Sequence, residues 1–236
     1  MLVEASKTVR QLAVELPQAT RVFERLGIDY CCGGQRTLEE ACGAAKLSVG
    51  EVLQTLEREA KTAPESPAEL ANIPLPELVR HIVATHHAYV KSEAPRLQQL
   101  AAKVASKHGE SHPELLEIRE VFDGLAAELA AHLMKEEQIL FPYVTDMATG
   151  RSRRTACFGS VQNPIRMMTM EHDSAGEALR HLRQASHGYT APPEACVSYQ
   201  AFYRGLAEFE ADLHQHIHLE NNVLFPRATA LEASVL

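Results

Sequence analysis

Apolar residues recur at intervals of 4, 3, 4, 3 and 4 along Ile118, Phe122, Leu125, Leu129, His132 and Glu136. The series returns as Phe202, Leu206, Phe209, Leu213, His216 and Glu220, each position offset by 84. Such spacing turns one face of a helix toward a core, yet the last two members of each series are polar. Positions i and i+4 share a helix face, so each copy presents an imidazole and a carboxylate to one point. A buried charge without a partner is costly, and a shared metal ion would supply one.

Two further stripes complete the pattern. Leu75, Val79, Ile82 and His86 run at 4, 3 and 4, and Met168, His172, Ala175, Leu179 and Leu182 at 4, 3, 4 and 3. His87 runs nearly parallel through Val83 and is the alternative to His86, which the stripe favours. The first helix is expected from Pro76 past Pro95 to about Ser106. The second is expected after a Ser111/Glu114 capping box and to end near Phe141-Pro142. The third should open at Asn163-Pro164 and the fourth after Pro192-Pro193. His86 to His132 spans 46 residues and His172 to His216 spans 44, so each half reads as a helical hairpin. The expected fold is all-α: an up-down four-helix bundle over 75–236, with a pseudo-two-fold axis through the site.

Upstream, hydroxyls answered three residues later by Gln or Glu mark three helix starts: Thr8 with Gln11, Thr37 with Glu40, and Ser48 with Glu51. Pro17 opens a further helix that Gly27 closes. These predict a small helical domain over 1–61 and a Pro-rich linker over 62–74. In the small domain, Asp29-Tyr30-Cys31-Cys32-Gly33-Gly34 forms a turn that presents two adjacent thiols.

A hydrophobic content of 45% in 236 residues is ample for a globular core. The net charge of -8 opposes nucleic-acid binding, and the cluster at Arg151, Arg153 and Arg154 is too short to reverse it. No apolar run suits a bilayer and the first residues lack a secretory layout, so the expected address is the cytoplasm, with no membrane partner. Five cysteines, an odd number, fit reduced thiols. Cys42, Cys157 and Cys196 read as packing or surface residues, and Cys31 and Cys32 as a redox or transfer pair.

Four histidines and two glutamates, with each carboxylate bridging two ions, give every metal two imidazoles and two oxygens and leave coordination open. This donor set suits iron, with manganese behind it; zinc favours closed four-ligand sites, and magnesium or calcium favours oxygen alone. A haem would strand Glu136 and Glu220 beside an apolar macrocycle. His214 and His218 fall on the surface or behind the ligands, and His81, His112, His181 and His187 receive no role, with His108 kept as a lesser option.

The chain resembles the di-iron proteins that repair iron-sulfur clusters, the RIC or ScdA/YtfE-type family, along nearly its whole length. The resemblance rests on Asp29-Tyr30-Cys31-Cys32-Gly33-Gly34, on the stretches His132 to Pro142 and Leu219 to Pro226, and on Glu171-His172-Asp173 and Pro193-Glu194-Ala195-Cys196. It implies a hemerythrin-like bundle behind a small N-terminal domain. The implied ligands are His86, His132, Glu136, His172, His216 and Glu220, holding two non-haem irons bridged by the glutamates and an oxo or hydroxo group. It also implies repair of clusters damaged by nitrosative or oxidative stress, with damaged iron-sulfur proteins as partners. The competing readings are a nitric oxide reductase and a binder or sensor of nitric oxide or oxygen; a homodimer is among the assemblies allowed.

Overall fold

The computed structural model describes residues 4–16, 18–62, 70–151 and 158–235. Pro17, most of the expected linker, and Cys157 with part of the arginine cluster lie outside them. Among the described residues there is no β-strand, and no helix is long and apolar enough to cross a membrane.

Helices α1 (Val9–Glu15), α2 (Gln18–Leu26), α3 (Leu38–Ala45) and α4 (Val49–Thr62) form the N-terminal unit. Thr8 and Thr37 each close a full capping box with Gln11 and Glu40, worth about 1 kcal/mol apiece. The two caps sit back to back: Val9 N–H donates to the Arg36 carbonyl and Leu38 N–H to that of Lys7, both at 2.9 Å. Gly27, at φ 68°, supplies the left-handed residue after α2. Val9, Leu12, Phe23, Leu38, Cys42 and Leu56 fill the core between the helices.

The bundle has four rods. The first is α5 (Leu75–Ile82), a π turn (Val83–His87) and α6 (Ala88–His108), which runs through Pro95. The second is α7 (Glu114–Lys135), a π turn (Glu136–Leu140) and α8 (Phe141–Ala148). Helix α9 (Gln162–Ala185) is the third, and α10 (Val197–His218), a π turn (Leu219–Leu224) and α11 (Phe225–Val235) make the fourth. Helix α6 packs against α7 and α10, and α7 against α9.

The π turns correct the helix ends expected from sequence. The N–H groups of Ala88, Phe141 and Phe225 reach back five residues to the carbonyls of Val83, Glu136 and Glu220, so each turn holds one residue more than an α-helical turn. A proline in a regular helix clashes with the carbonyl four residues earlier. The widened turns ahead of Pro142 and Pro226 relieve that conflict, so Phe141-Pro142 is no terminus and the rod continues to Ala148. The Ser111 capping box is not formed either: α7 starts after Pro113, and the Ser111 hydroxyl donates to the His108 carbonyl.

The N-terminal unit docks on the fourth rod. Gln215 donates to Glu24 and to the Tyr30 hydroxyl, both at 2.9 Å, and Asn222 donates to the Tyr30 carbonyl at 3.1 Å. The Asn222 carbonyl, four residues before Pro226 and so denied an N–H from it, accepts from the Arg10 guanidinium at 3.2 Å. His214 and His218 present their rings to Tyr30 and lie under this unit. A Cβ on Gly34 would come within 2.8 Å of the Tyr30 carbonyl, so glycine lets the Cys31-Cys32 turn close.

Candidate metal centre

Two apolar clusters leave a polar waist between them. On one side lie Leu129, Leu133, Leu213 and Ile217; on the other, Ile82, Leu140, Met168, Leu224 and Phe225. In the waist, His87, Glu136, His216 and Glu220 form one group of potential ligands and His132, Glu136, His172 and Glu220 a second. The ligand atoms within each group lie within 4.8 Å of one another, and all six side chains are buried. The two groups share both glutamates. Glu136 Oε2 stands 3.4 Å from His87 Nε2 and 3.3 Å from His132 Nε2. Glu220 divides its oxygens, Oε1 at 3.0 Å from His216 Nε2 and Oε2 at 3.1 Å from His172 Nε2.

This donor set fits a pair of ions. His87 Nε2, both Glu136 oxygens and Glu220 Oε2 are buried without a hydrogen-bond partner, a costly arrangement unless a cation satisfies them together.

Five of the six expected ligands meet here, and His86 does not. The π turn places His87 in the waist in its stead, since the extra residue in Val83–His87 advances the inward face by one position beyond Ile82. His86 turns aside: its Nδ1 lies 2.9 Å from Asp212 Oδ1, and its ring stacks parallel to that of His216. A stripe counted at α-helical period passes over this shift. The one signal in the sequence is that His87 comes closer than His86 to reproducing the His172-to-His216 spacing.

Outer partners orient three of the four imidazoles, aiming Nε2 inward. His87 Nδ1 meets Glu137 at 2.7 Å, with Lys91 on the same carboxylate. His132 Nδ1 meets Glu171 at 2.8 Å, and Lys135 pairs with Glu171. His172 Nδ1 meets Asn221 Oδ1 at 2.9 Å. Glu137 and Asn221 each follow a shared glutamate directly, so one stretch of chain supplies both the carboxylate and the group that steers a facing histidine. That role was not read from sequence, where these two residues pass for ordinary polar positions.

Charge agrees with the geometry. Burial disfavours protonation of His87 and His132, but the carboxylates of Glu136 and Glu220 override it and raise them to about 10 and about 9. Burial would raise the Glu220 carboxyl, yet His216, His172 and His87 hold it well below the usual carboxylate range.

Cys31 and Cys32 lie beside the centre and outside it. The Cys32 thiol is 3.5 Å from the His172 carbonyl, and Asn221 Nδ2 donates to the Cys31 carbonyl at 3.4 Å. Cys42 is buried in the N-terminal core, and Cys196 lies 3.2 Å from His108 Nε2 at the start of α10.

Residues 78–228 match the model of the hemerythrin HHE cation binding domain, and residues 5–60 match a domain of unknown function, DUF542. The chain is 37% identical over 224 residues to the iron-sulfur cluster repair protein YtfE of Escherichia coli, covering 94% of this chain and 96% of that one. The chain belongs to the family of the iron-sulfur cluster repair proteins. A probable iron-sulfur cluster repair protein of Haemophilus influenzae is 35% identical, and YtfE of Citrobacter koseri 37%, both over 94% of this chain and 96% of theirs. The hemerythrin HHE match takes in every histidine and glutamate of the waist, and the buried clusters are compatible with a two-ion centre of that family.

Proposed function

We propose that this protein repairs iron-sulfur clusters damaged by nitrosative or oxidative stress by supplying iron to them. The ions are two irons held by His87, His132, Glu136, His172, His216 and Glu220, with both glutamates as bridges. One observation carries this reading: both carboxylates face two histidine pairs at once, as a bridging ligand must. The names of the relatives support the task, and the donor chemistry supports the means. Imidazole and carboxylate hold iron more loosely than the thiolates of a cluster site, so iron bound here can pass to a damaged cluster. The chain's own part is to keep the ligands aimed through Glu137, Glu171 and Asn221. Such a protein would work in the cytoplasm on damaged iron-sulfur proteins.

A second reading is favoured by a cleft of about 310 Å³ lined by Leu125, Leu129, His132, Lys135, Glu171 and His172, which gives a small molecule access to the ligands. When bound, the iron pair would supply redox chemistry on nitric oxide, with electrons from an outside reductant. Incubating iron-loaded protein with a nitric-oxide-damaged cluster enzyme to follow reactivation, and in a parallel arm with nitric oxide and a reductant to follow nitrous oxide release, tests both. Reactivation without nitrous oxide supports iron supply, and turnover to nitrous oxide without reactivation supports the second reading.

A further inference from the structure

Asp29, Cys31 and Cys32 stand outside the four-histidine centre, and their ligand atoms also fall within 4.8 Å of one another. The two Sγ atoms are 3.9 Å apart, and Cys31 Sγ is 3.4 Å from Asp29 Oδ1. A tetrahedral ion with bonds of about 2.3 Å to sulfur and about 2.0 Å to oxygen would set its sulfurs about 3.8 Å apart, and sulfur from oxygen about 3.5 Å. The two thiols, and Cys31 with Asp29, already stand near those separations.

The turn is braced on both sides. Asp29 Oδ1 accepts from the backbone N–H of Cys31 at 3.1 Å and of Cys32 at 2.9 Å. Asn222 and Asn221 hold the carbonyls of Tyr30 and Cys31 from the bundle. A cleft of about 110 Å³, lined by Asp29, Cys31, Cys32, Gly176, Arg180 and His214 among others, opens the group to solvent.

Packing accounts for part of this. Cys31 is 5% exposed and joins the bundle's apolar core, where a small side chain is enough. The N–H groups of Cys31 and Cys32 fold the Asp29 carboxylate over the turn, which leaves it beside both thiols. Three groups that are anionic once deprotonated repel at such distances unless protons or a cation lie among them.

The geometry points to a separate mononuclear metal site formed by Asp29, Cys31 and Cys32, which takes one thiophilic divalent ion of the zinc or ferrous class and leaves its fourth position to solvent or a partner's ligand. It abuts the backbone of the His172 helix through Cys32. It shares no side chain with the histidine centre and stands whether or not that centre supplies iron.

The test is anaerobic titration of the iron-loaded, full-length protein with Co(II) alone. The expected result is one further equivalent bound, with thiolate-to-cobalt charge-transfer absorption in the near ultraviolet and the visible bands of tetrahedral cobalt. C31S and C32S should each abolish that absorption, and D29N should weaken binding about tenfold. Unchanged iron content in each variant shows that the fold is intact, and C32S, at the more exposed thiol, carries the test where C31S does not fold. Absence of charge-transfer absorption in the native protein, or a band that survives C32S, would overturn the site.

Discussion

Asn221 joins the two units of the protein: its Oδ1 lies 2.9 Å from His172 Nδ1, and its Nδ2 reaches the Cys31 carbonyl at 3.4 Å. One side chain therefore steers an imidazole of the waist and holds the cysteine turn. Asn221→Ala is expected to lower iron affinity about tenfold, the usual cost of losing an outer partner. Competition with a chelator measures it, and an affinity equal to that of the native protein would show that His172 needs no such support.

The position of His87 makes a sharper prediction. His87→Ala should sharply lower iron content, while His86→Ala, which removes the partner of Asp212 and a ring stacked beside His216, should keep about two irons per chain. Metal analysis after anaerobic loading reads both. The reverse order of losses would place His86 in the centre and contradict the π-turn geometry.

The same residues set a pH dependence. An imidazole in an unfolded chain titrates near 6.5, whereas His87 and His132 are held at about 10 and about 9 in the folded protein. Their protonated rings thus contribute stability to metal-free protein that is fully present below about 6.5 and lost as pH rises through about 9 to 10. Thermal melts across that range should show metal-free protein weakening on the alkaline side, while iron-loaded protein, whose ligands carry no such protons, holds steady. Parallel curves for the two forms would exclude this account.

Replacing Cys31 and Cys32 together by serine should leave the two irons in place, because neither thiol belongs to the histidine groups of the waist. If the turn takes part in repair, reactivation of a damaged cluster enzyme should fall while iron content does not. Loss of iron in the double variant would instead show that the small domain helps to build the centre.

The bundle and five of the six side chains that meet in the waist were legible because the duplicated stripe sets histidine and glutamate where a helical period calls for apolar side chains. The sixth was obscured by the same logic: a stripe counted at α-helical period cannot register the extra residue in Val83–His87. Phe141-Pro142 misled for a related reason, since proline stops a regular helix and the widened turn before it is invisible in composition. The roles of Glu137, Asn221 and Asn222 were not legible because their partners come from other helices and from the N-terminal unit. The caps at Thr8 and Thr37 were legible, being local, but their back-to-back pairing depends on the tertiary fold.

The most direct test of the central claim is to load the protein with isotopically labelled iron, mix it with a nitric-oxide-damaged cluster enzyme, and examine the repaired cluster by Mössbauer spectroscopy. Iron supply predicts that label enters the cluster as activity returns, and that His87→Ala and Glu136→Ala, which cannot hold the iron, deliver neither. Recovery of activity with a cluster free of label would contradict it.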